Sequence, residues 1–159
     1  LSSISFLVHR FTGEYVIDHY TAANFSPLYD VDAQDWCFEL AADIATPEML
    51  PRLLWSTQIA GHVTATAAAA TGLAIGTPVT TGTIDAAAEA LSVGVGAPGD
   101  MMVMYGSTIF IITLTQERVR DARVAAIGRI TQQQRHTVRR TICQCRRHDA
   151  GRSPAPLGP

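Results

Sequence analysis

The segment TTGTIDAAAEALSVGVGAPGD, residues 80–100, decides the fold assignment because two sequence patterns meet in it. β-Branched and small residues end near Gly82, and an alanine-rich run begins after a single carboxylate, Asp85. The first pattern is typical of a strand and the second of a helix. Asp85 is therefore expected at the junction between a strand and the helix that follows it.

The lone carboxylate of Asp85 has two interpretations. An aspartate at the start of a helix commonly acts as the N-cap, where its side chain accepts backbone N–H groups. Alternatively, a carboxylate at the C-terminal end of a strand lies where α/β sheets bind their ligands, and it can act as a general base. Gly82 leaves room for a substrate beside the backbone, which favours the second interpretation. The residues alone leave both open.

Alternating helix and strand patterns extend on both sides of this segment. They predict four helices: one over residues 4–11 that ends at Gly13, one over 32–45 with Trp36, Leu40 and Ile44 on one face, an alanine-rich one that ends at Gly72, and one that continues to Ile130. They also predict a strand over 79–84 and two strands within 100–114. Helices that alternate with strands predict an α/β fold class.

The turn between the last two strands, Gly106-Ser107-Thr108, is a second candidate site. Hydroxyls and free backbone N–H groups in such a turn can bind a phosphate. A plain hairpin turn has the same composition, so this alternative also stays open.

The charge is distributed unevenly. Residues 1–115 carry a net charge of −9 and residues 116–159 a net charge of +7, and all 12 basic residues of the chain are arginine. A basic segment of this kind can bind nucleic acid through the phosphate backbone, but it has no aromatic residues for base stacking. A nucleic-acid-binding module is therefore the alternative function, and the composition of the segment also fits an out-of-frame translation of GC-rich DNA.

The cysteine content and hydropathy predict a cytoplasmic protein without a membrane partner. No apolar run reaches the roughly 18 residues of a membrane span, and three cysteines are too few for a disulfide framework. Cys143, Cys145 and His148 form a C-x-C-x-x-H pattern, but a zinc site needs four ligands and the flanking arginines would repel a cation. No metal site is predicted from these residues.

Three stretches resemble the FGGY family of carbohydrate kinases, and its xylulokinase-like members in particular. They are FTGEYVIDHYTAANFSPLYDVDAQDW at 11–36, GHVTATAAAATGLAIGTPVTTGTIDAAAEALSVGVGAPGD at 61–100, and MYGST at 104–108. The resemblance covers about residues 4–120 and is specific as a composite, because the glycines, prolines and Asp85 recur together at the family's spacing.

The resemblance implies an actin-like ATPase, or ribonuclease H-like, superfold that is incomplete here and ends in an irregular arginine-rich tail. Residues 1–99 would be the C-terminal part of the family's N-terminal domain, and 100–122 the start of its C-terminal domain. Residues 123–159 would be a disordered or non-native tail.

The resemblance also implies a reaction and the residues that perform it. Asp85 would be the general base for phosphorylation of a sugar or polyol, and Gly82, Asp85 and Ala86 would contact that substrate. ATP and Mg²⁺ are the implied cofactors, with Gly106, Ser107 and Thr108 at the family's phosphate loop, where the usual order of Ser and Thr is exchanged. Glycerol kinases usually carry Gln directly after the base, so Ala86 favours another polyol or a ketose over glycerol. The resemblance to xylulokinase-like members favours a pentulose such as xylulose.

Two departures from the family predict that this chain is truncated and inactive on its own. The family's first phosphate-binding hairpin, a D.GT segment, has no counterpart in the sequence, and neither has its glycine-rich adenosine motif. A homodimer is expected only for a full-length form.

Other residues have weaker functional interpretations. Trp55 and His62 are interpreted as packing or surface residues. Asp18, His19 and Tyr20 are interpreted either as a turn or as contacts to a substrate.

Overall fold

The computed structural model describes residues 2–25, 27–39, 45–106 and 109–116, together with the backbone of 125–127 and 141–146. The α-helices of this part of the chain are α1 (Ser3–Thr12), α2 (His19–Ala22), α3 (Ala65–Thr71) and α4 (Asp85–Ser92). Its strands are β1 (Val16–Asp18), β2 (Tyr29–Asp30), β3 (Asp35–Trp36), β4 (Arg52–Leu54), β5 (Ile59–His62), β6 (Pro78–Thr80), β7 (Met101–Tyr105), β8 (Ile109–Thr115), β9 (Ala125–Ile127) and β10 (Thr141–Arg146).

The strands form one parallel pair and several antiparallel groups. β1 pairs with β4 in parallel, with Asp18 opposite Leu54. β2 pairs with β3 and β5 with β6, both antiparallel, and a four-stranded sheet has the order β7-β8-β10-β9. Because β1 and β4 run in the same direction, the residues that follow them, His19 and Trp55, lie at the same edge of the pair.

Local sequence signals account for the bounds of α1 and α3. Ser2 caps α1 by accepting the N–H of Ser5, and Thr64 caps α3 by accepting the N–H of Ala67. Both helices end at a glycine with left-handed backbone, as the sequence predicts.

The larger core cluster joins β1, α2, α4, β7 and β8. Its most buried members are Ile17, Tyr20, Ala22, Ala87, Ala90 and Ile112. α4 contributes only alanines from its buried face, and such small side chains let a helix backbone pack close to its neighbours. A smaller cluster of Val8, Val16 and Ala60 joins α1 to β1 and β5.

The helix predicted over residues 32–45 is wrong at Asp35 and Trp36, which form β3. The carboxylate of Asp30 accepts the backbone N–H groups of Asp32 and Ala33, and this local turn closes a β2–β3 hairpin instead. Leu40 and Ile44, which were expected on the same helix face, lie outside the described residues.

Two further elements differ from the sequence prediction. The strand expected over 79–84 ends at Thr80, because the next residues bond to a loop and not to a neighbouring strand. The helix expected to continue to Ile130 is wrong at residues 125–127, which form strand β9. The strands expected within 100–114 are confirmed as the β7–β8 hairpin. Within the described residues, no helix is both long enough and apolar enough to span a membrane.

Replacing Ile112 should destabilise the fold far more than replacing Ile109 on the same strand. Ile112 is 0% exposed and Ile109 is 48% exposed. Ile112→Ala should lower the free energy of unfolding by about 2–5 kcal/mol, because it removes buried methyl groups and leaves a cavity. Urea denaturation measures both variants, and an equal loss for Ile109→Ala would contradict this description of the core.

Candidate active site

The loop between β6 and α4, residues 81–84, precedes Asp85, and the backbone of its first two residues is held by hydrogen bonds. The backbone N–H and the hydroxyl of Thr81 both donate to the carbonyl of Gln58, at 2.9 and 3.1 Å. The N–H of Gly82 donates to the carbonyl of Ser56 at 3.0 Å. The β4–β5 turn therefore holds the first half of the loop.

Gly82 is required by its backbone conformation and by a close contact. Its φ is +70°, and a Cβ at this position would lie 2.8 Å from Cγ1 of Ile4. The structure thus gives Gly82 a packing role, because the side chain of Ile4 in α1 occupies the space that a Cβ would need. Contact of a substrate with Gly82 stays a prediction.

Asp85 is the first residue of α4, and its N-cap is Ile84. The N-cap interpretation of Asp85 is therefore wrong: its Oδ1 accepts only the adjacent N–H of Ala86, at 2.7 Å. The side chain of Asp85 is exposed, and a negative charge is favourable in the first turn of a helix. An exposed carboxylate at the start of a helix can accept a proton from a bound hydroxyl.

Asp18, at the C-terminal end of β1, is a buried carboxylate that the sequence interpretation placed in a turn. It is 2% exposed and caps α2, with Oδ2 accepting the N–H of Thr21 at 3.3 Å. The same oxygen accepts the hydroxyl of Thr83 at 2.9 Å. The structure thus makes Asp18 a helix cap and not part of a turn, and adds a contact to the loop before Asp85.

The cluster around Asp18 is incompletely bonded within the described residues. Asp18 Oδ1, the hydroxyl of Tyr20 and Oγ1 of Thr21 are buried without a hydrogen-bond partner there. Burial raises the pKa of Asp18 above its ordinary 3.8, and hydrogen bonds from Thr21 and Thr83 partly offset this effect. Burial also raises the pKa of Tyr20, as do the charges of Asp18 and Asp85.

His19 and Trp55, the residues that follow the parallel strands, pack against each other. Their ring centroids are 4.3 Å apart, and Nδ1 of His19 lies 2.8 Å from the hydroxyl of Tyr29. Tyr29 in turn packs edge-on against Trp36, whose indole N–H donates to the carbonyl of Pro51. The packing role expected for Trp55 is confirmed. Burial lowers the pKa of His19, although the charges of Asp18 and Asp35 oppose this effect.

The other predicted site residues are Ala86 and the segment Gly106-Ser107-Thr108. The side chain of Ala86 is buried in the larger core cluster, and its N–H is bonded to Asp85, so substrate contact at Ala86 stays a prediction without structural support. Gly106 follows β7 directly, whereas Ser107 and Thr108 lie outside the described residues. The described residues contain no group of three or more His, Cys, Asp or Glu that could hold a metal ion.

The candidates in the C-terminal segment cannot be assigned contacts. Cys143 and Cys145 are described only as backbone in β10, and His148 lies outside the described residues. The side chains of the arginines after residue 116 also lie outside the described residues. Nucleic-acid binding by this segment stays a prediction.

Comparison with known proteins identifies the family. The model of the FGGY family of carbohydrate kinases, N-terminal domain, matches residues 1–92. This chain therefore belongs to the FGGY family of carbohydrate kinases. None of the curated protein sequences compared with the chain matches it.

Solved structures of related kinases match most of the chain. A xylulose kinase from Rhodospirillum rubrum is 27% identical with a TM-score of 0.78, over 89% of this chain and 28% of that one. A gluconate kinase from Lactobacillus acidophilus is 16% identical with a TM-score of 0.76, over 90% and 28% of the two chains. A glycerol kinase from Plasmodium falciparum with ADP is 14% identical with a TM-score of 0.75, over 89% and 28%.

These matches confirm the α/β, actin-like ATPase fold expected from the sequence. The chain spans 28% of the length of each of the three kinases. The division at residues 99 and 122 stays a prediction.

Gly82→Ala should destabilise the chain more than Gly76→Ala. Both glycines have positive φ, +70° and +82°, but only the new Cβ at position 82 meets another side chain, that of Ile4. Gly76→Ala should cost about 1–2 kcal/mol through backbone strain, and Gly82→Ala more. Thermal and urea unfolding measure the difference in stability between the two glycine variants. Ile4→Ala should reduce this difference, because it removes the side chain that the new Cβ meets. Equal losses of stability for the two glycine variants would contradict the contact.

Asp18→Asn should change how stability depends on pH. The raised pKa means that native Asp18 holds its proton above pH 3.8, where the unfolded chain releases it. The free energy of unfolding contributed by Asp18 is therefore fully present below pH 3.8 and is lost as the pH rises through the raised pKa. Urea unfolding across this range should show Asp18→Asn gaining stability relative to the native chain as the pH rises. A constant difference between the two proteins would contradict the burial of a charged carboxylate.

Proposed function

We propose that these residues form part of the active site of an ATP-dependent sugar kinase in which Asp85 is the general base. The observation that carries the proposal is the position of Asp85: an exposed carboxylate at the start of α4, directly after a loop bonded to the β4–β5 turn and to Asp18. Membership of the FGGY family supports the reaction class.

The chemistry proposed for Asp85 follows from the needs of phosphoryl transfer. Asp85 accepts the proton of a sugar hydroxyl as the hydroxyl oxygen attacks the γ-phosphorus, and ADP is the leaving group. Such a reaction depends on positioning and charge neutralisation more than on covalent help from the protein. A base that directly follows an anchored loop meets the need for positioning, because small displacements of reacting groups cost large factors in rate.

The β7–β8 turn is the proposed location of the phosphate loop. Tyr105 pairs with Ile109, and residues 106–108 connect them. Hydroxyls and backbone N–H groups in a Gly-Ser-Thr segment can bind a phosphate. These three residues would hold ATP, which supplies the transferred phosphoryl group when it is bound with Mg²⁺.

A pentulose such as xylulose is the proposed substrate. The similar structures include a kinase for xylulose, at 27% identity. Ala86 stands where glycerol kinases usually carry Gln, which favours a ketose over glycerol. A cytoplasmic location and a homodimer of a full-length form stay predictions.

We further propose that residues 1–159 alone do not phosphorylate a sugar. The sequence holds only one of the family's phosphate-binding segments, the MYGST stretch at 104–108. Incubation of the purified chain with xylulose and ATP should produce no xylulose phosphate, and measurable turnover would contradict this part of the proposal.

The role of Asp85 is best tested in a hybrid kinase, in which residues 1–116 replace the matching segment of the Rhodospirillum rubrum xylulose kinase. Asp85→Asn should lower kcat by about 10²–10⁴-fold, the usual contribution of a general base. Glu89→Gln is the matched control, because Glu89 is an exposed carboxylate one turn further along α4. It should change kcat by about twofold at most, as is usual for a surface substitution.

Two results would contradict the proposal. One is a folded hybrid kinase that does not phosphorylate xylulose. The other is an Asp85→Asn variant that turns over as fast as Glu89→Gln. Circular dichroism and thermal unfolding of each variant separate loss of chemistry from loss of fold.

A further inference from the structure

We propose that Asp18 is a positioning residue for Asp85, acting through its hydrogen bond to Thr83; this inference rests on the function proposed above. Thr83 Oγ1 donates to Asp18 Oδ2 at 2.9 Å, across 65 residues of sequence. Thr83 is two residues before Asp85. The bond therefore joins the end of β1 to the last part of the loop that carries the base.

Each residue of the 81–84 loop has its own anchor. Thr81 and Gly82 are bonded to the β4–β5 turn, and Ile84 packs against the larger core cluster. Thr83 is held through its side chain by Asp18. Removal of that one bond would leave Thr83, two residues before Asp85, without a hydrogen bond to hold it among the described residues.

Capping of α2 does not by itself explain why position 18 is a carboxylate. Ser, Thr and Asn cap helices about as well as Asp does, and none of them places a charge in a site that is 2% exposed. A carboxylate oxygen, however, can accept two donors at once, and hydrogen bonds to a charged acceptor are stronger than those to a neutral one. Asp18 Oδ2 accepts both the N–H of Thr21 and the hydroxyl of Thr83.

The surroundings of Asp18 show that its burial is costly. Its second oxygen, Oδ1, has no hydrogen-bond partner among the described residues, and neither has the hydroxyl of Tyr20. A buried carboxylate that is incompletely bonded lowers stability. Such costs are commonly retained where a site must be held in one arrangement.

Two substitutions of Thr83 separate the hydroxyl from the rest of the side chain. Thr83→Val removes the hydroxyl at nearly constant volume, and Thr83→Ser keeps it. Thr80→Val is the control, because Thr80 is an exposed threonine on β6, directly before the loop. The first measurement is amide hydrogen exchange by NMR in the full chain of 159 residues.

Thr83→Val should speed exchange of the hydrogen-bonded amides on either side of Thr83, those of Gly82 and Ala88, by roughly tenfold, the factor expected for loss of a bond to a charged acceptor. Exchange of the core amides of Ile112 and Leu114 should not change. Thr83→Ser and Thr80→Val should leave the loop as protected as in the native chain. Equal exchange in Thr83→Val and Thr83→Ser would overturn the proposal, and so would acceleration of the core amides to the same extent as the loop.

The second measurement is kinetic and uses the hybrid kinase. Thr83→Val and Asp18→Ala should each lower kcat by roughly ten- to a hundredfold, the range expected when a reacting group is misplaced. KM for xylulose should change by less than about twofold, because the contacts that bind the sugar before the reaction are retained. Thr83→Ser should restore kcat. If Asp85→Asn abolishes turnover while Thr83→Val turns over like Thr83→Ser, positioning by Asp18 is refuted.

Failure of the proposed function gives a different result. In that case Asp85→Asn itself retains full turnover in the hybrid kinase. The exchange measurement does not depend on catalysis, and it still decides whether Asp18 holds the loop.

Discussion

The hydrogen bond between Thr83 and the buried carboxylate of Asp18 connects the two parts of the chain from which the candidate site is built. It spans 65 residues of sequence and has a length of 2.9 Å. On one side it reaches β1, which pairs with β4 and contributes to both core clusters. On the other side it reaches the loop that ends at Asp85. The position of the candidate base is thus tied to the centre of the fold.

This arrangement combines a buried acid, Asp18, that costs stability with an exposed acid, Asp85. Asp18 is 2% exposed and its pKa is raised by burial, whereas Asp85 is exposed at the first turn of α4. Two carboxylates in different surroundings can serve different purposes. In our account the buried one fixes geometry and the exposed one performs proton transfer.

The sequence predicts the elements whose signals are local. Gly13 and Gly72 end helices because a left-handed residue closes the last turn, and the start of α4 at Asp85 follows from the alanine-rich pattern after it. The helix over 32–45 was mispredicted because Trp36 has helical spacing to Leu40 and Ile44. That spacing does not show that Asp30 closes a hairpin before Trp36.

The features of the site that sequence patterns missed depend on contacts between distant residues. Nothing near Thr83 indicates that its partner is Asp18, and nothing near Gly82 indicates that Ile4 fills the space beside it. One signal was present: an aspartate such as Asp18 at the end of an extended segment is typical of a helix N-cap. The stacking of His19 on Trp55 could be inferred only once β1 and β4 were known to be parallel neighbours.

A crystal structure of the hybrid kinase with xylulose bound tests the central claim most directly, because it shows whether the sugar lies at the base. The account predicts a sugar hydroxyl within about 2.6–3.2 Å of a carboxylate oxygen of Asp85, the reach of a general base, with the Thr83–Asp18 hydrogen bond intact. A sugar bound elsewhere, with Asp85 in contact only with solvent, would contradict it.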